Sequence, residues 1–350
     1  MIQITETIVL QKLKTVMDPE LNRDLVSLNM IQDIVIDQDV VSFKLQLTTP
    51  ACPLRGQIEQ AARQAVLTIP GVRVVNIEVG AQVSRSAKLD EKVEIDVKNT
   101  IAVASGKGGV GKTTVAVNLA VALANSGAKV GLLDADIYGP NVPLMMGLTS
   151  LPQPKNNKLI PAEAFGVKVM SIGFMVKESQ PLIWRGPLLH STIKQFLTEV
   201  DWGELDYLIV DLPPGTGDVQ LSLTQTIPLS GGIIVTLPQK VSTDDASRGL
   251  EMFRKLGVPI IGVIENMSFL EMPNGERLDI FGSGGGEKFA NDAGVPFLGA
   301  IPMQANIREG GDHGKPIVLE TGESKAKSML NQIACAVAGK VSIMNLQGNP

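Results

Sequence analysis

The sequence predicts an α/β protein: a mostly parallel sheet with helices on both faces, preceded by a small α/β domain. Three observations carry that expectation. From residue 100 onward short apolar runs alternate with stretches of helical periodicity, the pattern of a parallel sheet covered on both sides. A charged and weakly patterned stretch, Ser86 to Asn99, reads as an exposed linker between this region and the one before it. Ala102 to Thr114 (AVASGKGGVGKTT) then places a glycine-rich loop between an apolar strand and a helix. The expected division is a small domain over 1–85, a linker over 86–99 and a nucleotide-binding domain over 100–350. With 350 residues, 44% of them hydrophobic, the chain can bury two cores.

In the small domain, Glu6 to Val16 has helical spacing, with Ile8, Leu10, Leu13 and Val16 on one side, and it stops before Pro19. Ile31 to Ile36 and Val41 to Leu47 alternate apolar and polar residues as a half-buried hairpin does, joined by Asp37-Gln-Asp39. A helix over Arg55 to Leu67 and a strand over Val72 to Val79 follow. In the larger domain the expected strands are Ile101 to Ala104, Val130 to Leu133, Val167 to Ser171, Tyr207 to Val210, Gly232 to Thr236, Ile260 to Ile264 and Phe297 to Ile301. A helix begins at Thr114, with Val115, Leu119 and Leu123 at helical spacing; others lie around Leu188 to Leu197 and in Ser324 to Val341. Ligands of such sheets collect beyond the carboxyl ends of the strands, which predicts Asp136, Asp211 and Asn266 near the glycine-rich loop.

That loop matches G-x-x-x-x-G-K-[ST] in full. Gly106, Gly108, Gly109 and Gly111 let backbone N–H groups converge on an oxyanion without a Cβ in the way, with Val110 between them, and the helix N-terminus adds positive partial charge. Lys112 can reach the β- and γ-phosphates, the Thr113 hydroxyl can ligate magnesium, and Thr114 opens the helix. A glycine-rich turn of purely structural purpose would explain neither the lysine nor the threonine. Leu208-Ile-Val-Asp211 ends an apolar strand in an acid, the fixed carboxylate that magnesium takes directly or through its waters. The stiff Pro213-Pro-Gly215 turn after it could sense the γ-phosphate.

Lys107, directly after the first glycine, gives GKGGVGKT and resembles the deviant phosphate loop of the MinD/ParA and nitrogenase-iron-protein superfamily. The resemblance implies a homodimer with ATP between the subunits, Lys107 reaching the partner's phosphates; by itself a lysine at a loop tip is simply solvated. Asp134-Ala-Asp-Ile-Tyr-Gly-Pro-Asn141 is similar to that superfamily's first switch, which implies that Asp136 orients the attacking water and Asp134 lies nearer the magnesium shell. Two bare aspartates ending a strand are also common in loops. Ile264-Glu-Asn-Met-Ser268 resembles the segment whose asparagine pairs with the adenine edge, which implies that role for Asn266. His190 and His313 have no ligand-spaced neighbours and are expected to be structural or solvated.

With Trp184-Arg-Gly-Pro187, Asp211 to Asp218 (DLPPGTGD), Arg248 to Phe253 and Ile280 to Gly286 added, the chain is similar over nearly its whole length to the Mrp/ApbC-type iron–sulfur cluster carrier ATPases. Asp18 to Leu21, Leu25 to Leu28 and Thr48 to Cys52 resemble the SufT/PaaD-like domain of assembly factors. The resemblance implies a homodimeric ATPase that hands clusters to apo-proteins alongside other assembly factors. One departure stands out. Where the family carries C-P-x-C for a 4Fe–4S cluster, this chain reads Phe269 to Arg277 (FLEMPNGER), with Met272 at the first cysteine's place. A thioether is a weak neutral ligand where clusters take thiolates. Cys335 belongs to the predicted last helix, so Cys52 is the remaining ligand, and it is equally readable as a small buried apolar side chain.

Composition excludes other classes. A net charge of −5 argues against a general nucleic-acid coat, and 4% aromatics against base-stacking platforms. No stretch approaches the ~20 apolar residues of a membrane span. The start, Met-Ile-Gln-Ile-Thr-Glu, is no signal peptide, and two distant cysteines suit a reducing cytoplasm. A positioning ATPase acting on membrane, DNA or protein partners is the competing class; it wants a basic face or a terminal amphipathic helix.

Overall fold

The computed structural model describes residues 4–86, 95–175, 186–272, 275–322 and 324–348. Residues 87–94 of the expected linker, Trp184 and Arg185 of the quoted motif, and positions 273 and 274 lie outside the described residues. Contacts divide the chain into two units, Met1–Ser84 with Ala338–Pro350, and Arg85–Val337.

The first unit packs α1 (Glu6–Leu13) and α2 (Arg55–Leu67) on a three-stranded sheet. Its strands are β1 (Ile31–Asp37), β2 (Val40–Leu47) and β3 (Val74–Ala81), with β2 in the middle. β1 and β2 form the expected hairpin, and β3 runs parallel to β2. Alternation puts Val41, Phe43, Leu45 and Leu47 on one buried face of β2, opposite the i, i+4 stripe Ile58, Ala62 and Val66 of α2. Each such side chain contributes about 1.5–3 kcal/mol on burial.

In the second unit the strands are β4 (Val97–Ser105), β5 (Val130–Asp134), β6 (Ala162–Ala164), β7 (Val167–Ser171), β8 (Leu205–Asp211), β9 (Gly231–Thr236) and β10 (Ile260–Glu265). A small hairpin, β11 (Leu270–Glu271) and β12 (Arg277–Leu278), precedes the last sheet strand, β13 (Phe297–Ala300). The eight-stranded sheet runs β13-β10-β9-β4-β8-β5-β7-β6, parallel except where β6 pairs antiparallel with β7. Its longer helices are α3 (Lys112–Asn125), α4 (Gly186–Thr198), α5 (Asp218–Thr226), α6 (Lys240–Lys255), α7 (Gly285–Asp292), α8 (Ala305–Asp312) and α9 (Lys325–Gly348). The central strands β4, β5 and β8 are almost wholly buried, as the continuous apolar runs require. Among the described residues no helix is long and apolar enough to cross a membrane.

Two boundaries differ from expectation. The stretch read as linker to Asn99 gives up its last three residues to β4, where Val97 pairs with Leu205 and Asn99 with Tyr207. Their polar character hid the strand: Lys98 meets Glu204 and Asp206, each at 3.0 Å, and the Asn99 amide donates to the Asp206 carbonyl. At the other end, residues from Ala338 on belong with the small unit, where the Ser342 hydroxyl donates to the Thr48 carbonyl and the Asn345 amide to the Ser84 carbonyl. α9 is one unbroken helix, so nothing in its periodicity marks where its contacts change.

Candidate functional site

β4 ends at Ser105 and α3 starts at Lys112, and the loop between them is shaped by two close approaches. Gly106 lies against the backbone of α6: a Cβ there would stand 2.1 Å from the Asp245 carbonyl carbon. Gly111 takes φ +78°, a left-handed conformation that turns the chain into the helix. Gly106→Ala would force α6 or the loop to move, an overpacking cost of about 1–3 kcal/mol. We expect ATP affinity to fall about tenfold in that variant. An ATP titration and a melting curve equal to those of the wild type would show the contact to be dispensable.

Adjacent parallel strands bring the acids to this loop. In register, Asp211 of β8 stands beside Asp134 of β5 and Val103 of β4. The Lys112 ammonium, 5% exposed, donates to Asp211 Oδ1 at 2.6 Å and lies 3.4 Å from Asp136 Oδ2. The Thr113 hydroxyl donates to Asp211 Oδ2 at 2.7 Å. Burial alone would push the lysine's pKa down; Asp211 and Asp136 outweigh it and hold the ammonium above its ordinary value. Burial raises Asp211 against the pull of Lys112, and burial with the neighbouring Asp211 pushes Asp134 up to about 8. The site therefore carries more carboxylate than one lysine neutralises.

Asp134 itself is committed elsewhere. Its Oδ1 accepts from the Asp136 N–H, and its Oδ2 from the Ser171 hydroxyl at 2.7 Å and the Val142 N–H at 3.3 Å. These bonds tie Asp134 to the 136–142 turn, while strand register keeps it beside Asp211. Asp136 caps the Tyr138 N–H through Oδ1. Among the described residues no three His, Cys, Asp or Glu side chains form a metal-binding group. Thr113 and Asp211 fit magnesium of the kind that fills its octahedron with phosphate oxygens and water, since they offer a hydroxyl and a carboxylate, both hard oxygens.

Asn266, just after β10, donates from Nδ2 to the Val110 carbonyl at 2.9 Å, so the strand-end rule brings Asp136, Asp211 and Asn266 to the loop together. Lys107 is half-buried and makes no ion pair among the described residues; its carbonyl accepts from the Ser105 hydroxyl. Gly108 and Gly109 are exposed. Beyond Thr114 opens a cleft of about 590 Å³, lined among others by Asn141, Met145, Asn266, Met267 and Met303. Sequence reasoning missed Met145 and Met303, although Met303 follows β13 and the strand-end rule could have found it. Cys52 is half-buried against the small unit's core at the loop before α2. His190 bridges α4 to α5 through Ser222 and Thr226, and His313 contacts the Glu309 carbonyl, both structural uses.

Sheet order, loop and strand-end acids define a P-loop nucleotide-binding protein of the deviant-lysine type. Comparison with known proteins refines the class. Residues 96–338 match the model of the NUBPL iron-transfer P-loop NTPase, and residues 6–79 that of an iron–sulfur cluster assembly protein. A Synechocystis protein named iron–sulfur cluster carrier protein is 52% identical over 98% of this chain and 99% of its own length. A nucleotide-binding protein from Archaeoglobus fulgidus, solved in complex with ADP, is 38% identical, with a TM-score of 0.57 over 63% of this chain and 88% of its own. The Pyrococcus furiosus cell-division ATPase MinD aligns with a TM-score of 0.54 at 25% identity, over 68% of this chain and 98% of its own. The chain belongs to the NUBPL-type iron-transfer P-loop NTPase family.

Proposed function

We propose that this chain is an ATP-dependent iron–sulfur cluster carrier and assembly factor that delivers clusters to apo-proteins. The observation that carries the reading is the likeness, over 98% of the chain, to a protein named for that task. The chain binds ATP at Gly106 to Thr114 and hydrolyses it slowly as a homodimer in the cytoplasm, with apo-proteins and other assembly factors as its partners.

Lys112 leaves Asp211 and Asp136 for the β- and γ-phosphates, because a triphosphate offers it more negative charge than two carboxylates do. Thr113 and Asp211 would hold magnesium, which when bound supplies further charge neutralisation on the phosphates. Asp136 orients the attacking water, and the loop N–H groups cradle the phosphates. Lys107 makes no ion pair among the described residues, which supports its reaching the partner's phosphates.

The cluster is cargo, and its holding differs from the family pattern. On either side of positions 273 and 274, the Met272 N–H donates to the Glu276 carbonyl and the Gly275 N–H to the Met272 carbonyl, each at 2.8 Å. Met272 is 40% exposed and brings a thioether where thiolates would stand. We assign Cys52 as a cluster ligand, completed by a second chain or an external thiol. After anaerobic reconstitution, Cys52→Ala is expected to hold much less iron and sulfide than the wild type; equal iron in both removes Cys52 from the scheme. The thioether at Met272 favours a second reading, a nucleotide switch acting on membrane, DNA or protein partners without a cluster. A wild-type chain that takes up no iron, yet co-sediments with liposomes or DNA when ATP is added, would select it.

A further inference from the structure

We infer that Asn266 is a positioning residue for the phosphate loop itself, apart from any contact with a base: its side-chain amide pins the Val110 carbonyl and so sets the turn that aims the loop's N–H groups. The inference deepens the nucleotide-binding reading and rests on it; cluster transfer plays no part.

Val110 stands between two left-handed glycines, Gly109 at φ +80° and Gly111 at φ +78°. A peptide flanked in this way can rotate at little steric cost, so the loop needs an outside contact to hold one arrangement. Asn266 Nδ2 supplies it, in a buried hydrogen bond of 2.9 Å spanning 156 positions of sequence. The fit is close: a Cβ on Gly111 would lie 2.2 Å from that nitrogen, so the amide fills the space that the glycine leaves. Because Nδ2 faces a carbonyl, the orientation of the amide is determined; the flipped form would set two acceptors against each other.

The asparagine is rigidly mounted. Its own N–H donates to the Thr236 carbonyl at 2.8 Å, and the Ser268 N–H donates to the Ile301 carbonyl at 2.9 Å. Glu265, 1% exposed, accepts from the Ser268 hydroxyl at 2.5 Å and from the Gly286 N–H, at the start of α7, at 2.6 Å. Both carboxylate oxygens thus brace the turn that carries Asn266. A side chain that only read a base would need none of this on the phosphate side.

Inorganic tripolyphosphate, which has no base, separates the two roles. With magnesium, calorimetry on the full chain is expected to show Asn266→Ala binding both tripolyphosphate and ATP about tenfold more weakly than the wild type, the worth of one buried hydrogen bond. Loss of ATP affinity with tripolyphosphate affinity unchanged overturns the proposal, as does no loss for either. So does a wild-type chain that binds ATP but not tripolyphosphate, since a loop set in advance needs no base. A wild-type chain that binds neither sinks the nucleotide reading instead. Should the alanine variant fail to fold, Ser268→Ala, which loosens the mounting, is expected to weaken tripolyphosphate about threefold; unchanged affinity there overturns the proposal too.

Discussion

Lys112→Ala is expected to abolish ATP turnover, with kcat falling about 10³-fold or more, the scale of losing a preorganised charge on a developing oxyanion. The Lys112 ammonium lies between Asp211 and Asp136, at 2.6 and 3.4 Å, and the residue is 5% exposed. Water therefore replaces it poorly. The fold should survive the change. Removing one partner of a buried ion pair is costly to the extent that the other keeps its charge, and burial already raises the pKa of Asp211, a shift that loss of the lysine's charge increases. Phosphate release with magnesium and ATP, beside a melting curve, checks both halves. Turnover within tenfold of the wild type would remove Lys112 from its assigned role.

Asp136→Ala should separate binding from chemistry. The residue touches Lys112 and the Tyr138 N–H and makes none of the loop's own hydrogen bonds. Without it Lys112 loses a competing carboxylate, so ATP is held at least as tightly as before. Hydrolysis, which needs a positioned water, is expected to fall about 10²–10⁴-fold. The signature is a large drop in kcat with KM unchanged or lower. Retained turnover would overturn the assignment of Asp136, and a matching loss of ATP affinity would make it a binding residue instead.

How much of this was legible in sequence depended on the range of the contacts. The phosphate loop, the strand-end acids and the helix Arg55–Leu67 were readable because a glycine, a turn or a periodicity speaks for residues a few positions away. The strand residues Val97 to Asn99 were not: Lys98 and Asn99 look solvated until Glu204 and Asp206 arrive beside them. Nor was the antiparallel edge strand Ala162–Ala164, three residues long and too short to show alternation. Only the family resemblance separates Asp134 from Asp136 in the sequence, where both are acids in one turn. Ser171, from a neighbouring strand, tells them apart by taking up an oxygen of the first.

By itself the sequence determined the chemistry on offer: a triphosphate cradle with two lysines, hard oxygens for magnesium, and no cysteine pair where the family keeps one. Those are matters of residue type and local spacing, and they need no partner from elsewhere in the chain. Tertiary structure decided which of the groups meet. It set Lys112 between two acids, tied Asp134 to the 136–142 turn, and closed the Asn266 amide onto the Val110 carbonyl across 156 positions. The register of a parallel sheet, set by burial along whole strands, makes those encounters, and no local pattern encodes it.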